Sequence, residues 1–170
     1  MEEVFINRVA NSGIETINLE DFYPKAERVL IDVKGLLFME LVLKEKDFRD
    51  WVKNHDWEQY KGKLVAVYCS NDAIVPTWAY MLISSKLTGI ALQVVFGDLN
   101  ALETVIWQNI IGQIDETKYA DKKVVIKGCG ELPISAAAYT YISNKLIPVV
   151  QSLMYGEPCS TVPVYKRKAN

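Results

Sequence analysis

One histidine, three cysteines and no Cys-x-x-Cys pair leave a chain of 170 residues little material for the commonest catalytic and metal-binding arrangements. His55 has no second imidazole to join in a two-histidine metal centre, and a Ser-His-Asp relay would need that one ring to be well placed. In Asn54-His55-Asp56-Trp57, at the end of a charge-dense helix, it reads as a surface histidine near the C-terminal dipole. The nine glycines form neither G-x-G-x-x-G nor a Walker A loop, so the usual nucleotide signatures are missing. There is no basic excess. Nineteen Lys and Arg against 21 Asp and Glu give a net charge of −2, unlike a general nucleic-acid or membrane-surface binder. Nor is there a long apolar run: the longest charge-free stretches, Ala73–Ser85 and Leu132–Asn144, have 13 residues. A membrane span needs about 20. Met1-Glu2-Glu3 lacks the basic and apolar regions of a signal peptide, and an odd number of cysteines fits a reducing compartment. These absences lead to the expectation of a soluble, cytoplasmic protein with no membrane and no nucleic-acid partner.

What is there is apolar and unevenly charged. Half of the residues are hydrophobic and 24% are charged. From Lys44 to Lys63 more than half of the side chains can carry charge, whereas between Lys63 and Lys86 only Asp72 does. From Leu87 to Ile114 only Asp98 and Glu103 do. A surface helix leading into a nearly charge-free interior is the pattern of a buried sheet flanked by helices. Leu64–Tyr68, Leu92–Phe96 and Val124–Ile126 are predicted strands. Pro76–Leu87, Ala101–Ile111 and a long segment from about Pro133 to Tyr155, kinked at Pro148 and closed by Gly156, are predicted helices. Asn100 with Glu103 reads as a capping box for the second of these. Upstream, Arg28–Val33 reads as a strand, and Leu36–Leu43 as an apolar run able to pair with it. Asp47–His55 reads as a helix with Phe48, Trp51 and Val52 on one face. Trp51, Trp57, Trp78 and Trp107 fall in helical patterns as core or interface residues. Residues 1–26 read as an N-terminal arm and 157–170 as a C-terminal extension, whose last strand, Thr161–Tyr165, is interrupted by Pro163. The chain reads without an internal repeat. The expectation is a single α/β domain over residues 1–170, with a central, mainly parallel sheet and flanking helices, three-layered and Rossmann-like.

Ligands of such sheets bind outside the carboxyl ends of the strands. There the sequence places Cys69-Ser70-Asn71-Asp72, Gly97-Asp98 and Gly128-Cys129-Gly130. With Leu64–Tyr68 in the middle, its successor on one side and Val124–Ile126 on the other, Cys69 and Cys129 would stand on neighbouring strands about 4.8 Å apart. Together with Cys159, Asp72 and Asp98 they make a candidate shell for zinc or iron. Burial as small apolar residues, and service as a reactive thiol near a helix N-terminus, are open alternatives for the cysteines. Asp72 and Asp98 also fit helix caps, with Asn100 competing against Asp98 for that role. The leading expectation is a metal-binding accessory protein. The alternatives are a thiol enzyme or binder of small anionic molecules at this edge, and a non-enzymatic homo-oligomeric module such as a homodimer, suggested by the aromatic-rich apolar middle.

Several longer segments are distinctive: Leu19-Glu20-Asp21-Phe22-Tyr23-Pro24, Asn71-Asp72-Ala73-Ile74-Val75-Pro76-Thr77-Trp78-Ala79-Tyr80 and Gly156-Glu157-Pro158-Cys159-Ser160-Thr161-Val162-Pro163. With Val9-Ala10-Asn11-Ser12-Gly13, Val95-Phe96-Gly97-Asp98 and Lys127-Gly128-Cys129, they make the chain resemble, over nearly its whole length, the bacterial family called domain of unknown function 2480. The resemblance implies no assigned activity and carries over no functional residue. It does imply an association with iron–sulfur assembly proteins as partners.

Overall fold

The structure is a computed structural model that describes residues 13–128, 130–157 and 159–168. Its elements, in chain order, are β1 (Ile14–Asn18), β2 (Arg28–Asp32), α1 (Glu45–Asn54), β3 (Leu64–Tyr68), α2 (Thr77–Leu87), β4 (Gln93–Phe96), α3 (Leu99–Gly112), β5 (Lys123–Lys127), α4 (Ala136–Leu146), β6 (Ser152–Glu157) and β7 (Ser160–Lys166). The trace divides into two compact units, one spanning Lys25–Val105 and one joining the chain up to Pro24 with the chain from Ile106 onwards. We call them the mid-chain unit and the terminal unit. The fold class is α/β with mainly parallel strands, as expected. The sheet is divided, however: the mid-chain unit holds β2-β3-β4, all parallel, and the terminal unit holds β1-β5-β6-β7, parallel except for β7.

In the mid-chain unit β3 is the middle strand, and Leu64, Val65, Ala66 and Val67 are all buried. Both of its faces are covered, which is why the sequence there runs apolar without alternating. Val65 and Val67 pack with Ile31 and Val33 of the β2 end, with Phe48 and Val52 of α1, and with Ala79, Ile83 and Leu87 of α2. The last three recur at every fourth residue, one stripe of a helix. Full burial of each large aliphatic side chain contributes roughly 1.5–3 kcal/mol. The terminal unit repeats this arrangement. Val124 and Ile126 of β5 pack with Ile17 and Leu19, with Trp107 and Ile111 of α3, and with Ala138, Ile142 and Leu146 of α4.

The correspondence is an internal repeat, contrary to the reading of the sequence. β3 begins at Leu64 and β5 at Lys123, α2 at Thr77 and α4 at Ala136, β4 at Gln93 and β6 at Ser152, a constant spacing of 59 residues. Hydrogen bonds repeat with it. Gly62 N–H donates to Ile90 O and Asp121 N–H to Val149 O, while Leu92 N–H donates to Lys63 O and Gln151 N–H to Lys122 O. Asp56 accepts from the Glu58 N–H as Asp115 does from that of Thr117. The leading strands fall outside this spacing, yet they pair in matching register, Arg28 with Leu64 and Ile14 with Lys123. Each ends in an Asx residue that caps a 3-10 turn: Asp32 accepts from Lys34 N–H at 3.0 Å, and Asn18 from Glu20 N–H at 3.3 Å. Gly97 and Gly156 close the last parallel strand of each copy at φ +130° and +112°. A Cβ would come within 2.5 Å of Ala101 Cβ at Gly97 and within 2.9 Å of Ser160 O at Gly156, so both positions require glycine.

Three further expectations change. The long helix read from Pro133 to Tyr155 ends at Leu146, because Pro148 ends it, and residues 152–155 pair with β5 instead. Leu36–Leu43 forms no strand beside β2; it closes a small turn in which Phe38 bridges Val42 and Val42 bridges Ile74. Within the stretch read as an arm, Ile14–Asn18 is the edge strand of the terminal sheet. The interrupted last strand is present as β7, with Pro163 beside an irregularity in the pairing to β6, at an edge where its missing N–H is tolerated. Among the described residues no helix is long and apolar enough to cross a membrane.

The repeat predicts matched core energetics. Leu87→Ala and Leu146→Ala remove equivalent, fully buried side chains and are each expected to cost about 2–5 kcal/mol. Lys86→Ala, on the exposed side of α2, is expected to change stability by less than about 0.5 kcal/mol. Urea midpoints for the three variants measure these differences.

Candidate functional site

The carboxyl edge of the mid-chain sheet is tied together by Asp32. Its Oδ1 accepts the backbone N–H of Lys34 and that of Ser70, each at 3.0 Å, joining the ends of β2 and β3. Burial alone would raise this carboxyl. The Ser70 hydroxyl, the two backbone N–H groups and the Lys34 charge outweigh it and hold Asp32 below the ordinary carboxylate range. Beyond it, the Asn71 side chain donates to Glu40 O at 2.5 Å, anchoring the turn through Met39 and Glu40, both at positive φ.

Of the expected metal shell, Cys69, Asp72, Asp98 and Cys159 lie among the described residues. Cys69 is half-buried at the end of β3, packed against the mid-chain core, with its thiol donating to Asn71 O at 3.4 Å. Asp72 is exposed and caps nothing on α2, whose N-cap is Pro76 without a side-chain hydrogen bond. Asp98 accepts the Ala101 N–H at 2.8 Å, so Asp98 rather than Asn100 caps α3. Cys159 is exposed in the turn between β6 and β7 of the terminal unit. Cys129 lies outside the described residues. The adjacency expected of Cys69 and Cys129 is not formed by strand pairing, because β3 and β5 are the interior strands of different sheets. Among the described residues no group of three or more His, Cys, Asp or Glu side chains is placed to hold a metal ion.

What the edge does hold is a groove of about 790 Å³ along α2 and the end of β4. Val75, Met81 and Phe96 supply apolar walls, and hydroxyls come from Thr77, Tyr80 and Ser84 on α2. Phe96 is 69% exposed and meets the Tyr80 ring edge-on, with centroids 4.9 Å apart. Burial first, then the neighbouring Cys69 and Asp32, push the Tyr80 phenol above its usual range, so it stays a protonated donor. Among the described residues no charged side chain lines the groove. The terminal unit carries the counterpart at the same 59-residue spacing. Tyr139, Ser143 and Tyr155 line a smaller cavity of about 300 Å³, with Tyr139 and Tyr155 edge-on at 5.5 Å. There β7 adds Val164 to the lining. The sequence reading did not single out these residues. The signal was Ala-Tyr-x-x-Ile-Ser-x-Lys-Leu, present at Ala79–Leu87 and again at Ala138–Leu146.

His55 lies elsewhere on the mid-chain unit. Its ring packs 4.5 Å from Trp51 and 4.7 Å from Trp57, with Nε2 2.9 Å from the Tyr60 hydroxyl. It is a half-buried member of an aromatic cluster rather than the surface histidine the sequence suggested.

The family model described as Protein of unknown function (DUF2480) matches residues 3–167. No curated protein and no solved structure matches the chain.

Asp32→Ala is expected to cost about 1–2 kcal/mol in chemical denaturation, through loss of a cap and of the β2–β3 link. Asp32→Asn should cost less, since Asn18 fills the equivalent cap in the terminal unit. Burial pushes His55 below its ordinary value of 6.5, against an opposing pull from Asp56. The unfolded chain therefore binds a proton before the folded one does. This contribution to stability is full above about pH 6.5 and falls as the pH drops below it. His55→Phe should flatten the slope, as read from urea midpoints between about pH 7.5 and pH 5.5.

Proposed function

The chain belongs to the DUF2480 family, whose description names no activity, and from its geometry we propose a non-enzymatic binding module for neutral, partly apolar molecules. The observation that carries this reading is the composition of the groove beside α2: apolar walls, several hydroxyls and no charge. Pockets for small molecules combine those features, with apolar surface for affinity and a few polar groups for orientation. A phosphate or carboxylate would find no cation there among the described residues, so the chemistry favours an uncharged ligand with one or two hydrogen-bonding groups. Tyr80, kept protonated, donates one hydrogen bond, and Ser84, one helical turn further along α2, donates or accepts another. Thr77 and Val75 define the end of the groove nearest the start of α2. A role in catalysis is not part of this reading, because His55 does not line the groove and the Cys69 thiol is engaged with Asn71 O.

The test uses Nile red, a neutral dye that fluoresces in apolar surroundings. The full chain is expected to bind it, with chemical-shift changes confined to residues 73–88 and Phe96. Met81→Glu places a carboxylate in an exposed wall and should weaken binding at least about tenfold, equivalent to about 1.4 kcal/mol. Val162→Glu, on exposed β7, should leave it unchanged. Absence of dye binding, or equal binding by Met81→Glu, would overturn the proposal.

A further inference from the structure

The two copies of the repeat differ at one edge. In the terminal unit β7 runs antiparallel along β6 and leaves no free edge on that strand. In the mid-chain unit β4 is the counterpart of β6 and the last strand of its sheet, and among the described residues no strand pairs with its outer side. The difference follows from the chain: after Gly156 it turns back as β7, whereas after Gly97 it enters α3, capped by Asp98.

The open edge is unprotected. Leu92-Gln93-Val94-Val95-Phe96-Gly97 has no charge and no proline, the devices that keep exposed edges from pairing. Gly97 N–H donates to Val67 O, and bonding alternates along a parallel ladder, so the N–H and C=O of Val94 and Phe96 face outwards. Leu92 and Phe96, at the two ends of the strand, are 65% and 69% exposed, and Met81 beside Phe96 in the groove is 67% exposed.

We propose that this edge pairs antiparallel with β4 of a second copy of the chain, giving a two-fold dimer through a continuous six-stranded sheet. Three features favour a second copy over another occupant. Identical strands paired antiparallel generate a closed, isologous interface without further fitting. A strand without charge meets itself without like-charge repulsion. The two outward residues lie symmetrically about Val95, so Val94 of each chain stands opposite Phe96 of the partner subunit and four backbone N–H···O bonds close together. The β6–β7 pair within the chain is the precedent for this mode of covering the edge.

Val94 does not line the groove, so pairing and ligand binding are separable. In sedimentation equilibrium the full chain is expected to move with concentration from 19.3 kDa to twice that mass. Val94→Pro removes an outward N–H without removing a bond to β3 and should weaken the dimer by about 100-fold. Hydrogen exchange of the wild-type protein gives a second measure that does not depend on the variant folding. The Val94 and Phe96 amides should slow at least about tenfold between monomer and dimer concentrations. A monomer at all concentrations, a dimer undisturbed in folded Val94→Pro, or amides at Val94 and Phe96 that exchange equally fast in monomer and dimer would each overturn the proposal. Loss of Nile red binding with an intact dimer would count against the groove alone.

Discussion

The groove of the mid-chain unit depends on β3 lying between two parallel neighbours with both faces buried. Four consecutive residues, Leu64 to Val67, lose contact with water, which requires their backbone groups to be satisfied by β2 and β4. Parallel pairing then brings the carboxyl ends of all three strands to one edge. Asp32, Cys69 and Phe96 meet the start of α2 there because each stands at or just beyond the end of a strand in register with the next. The groove follows from where the sheet ends.

At that edge the polar groups serve the fold before any ligand. Asp32 and Asp98 accept backbone N–H groups, Asn71 holds a turn, and the Cys69 thiol donates to a carbonyl. Charge is thereby kept out of the groove, leaving Tyr80, Ser84 and their neighbours to offer neutral hydrogen bonds between apolar walls. The Tyr80–Phe96 pair, matched by Tyr139 and Tyr155, shows the same construction reached twice in one chain. In the terminal copy Val164 of β7 enters the lining, and the cavity is smaller.

The repeat also shows how one connection alters the surface of an otherwise similar half. The core positions match pair by pair, from Phe48 and Trp107 through Leu87 and Leu146. After the shared glycine one copy continues as a strand and the other as a helix. The first choice covers a sheet edge. The second leaves β4, among the described residues, with no strand on its outer side and with exposed apolar side chains at its two ends.

The α/β class, four of the parallel strands and the helices at Glu45–Asn54, Thr77–Leu87 and Leu99–Gly112 were legible in the residues, because apolar periodicity reports burial directly. The carboxyl edge was legible for the same reason, as polar residues interrupting apolar runs. The helix drawn through Pro148 failed because an apolar run alone does not distinguish a buried helix from a buried strand. The repeat was overlooked because its identities are concentrated in one nine-residue segment, Ala79–Leu87 and Ala138–Leu146, and because β1 and β2 both precede the repeated segments. The sequence by itself determined which residues avoid water. Only the tertiary structure decided which strands pair, since hydrogen bonding between distant segments leaves no periodic trace. That pairing placed β3 and β5 in different sheets, set Asp98 to capping a helix, and left a neutral groove beside α2.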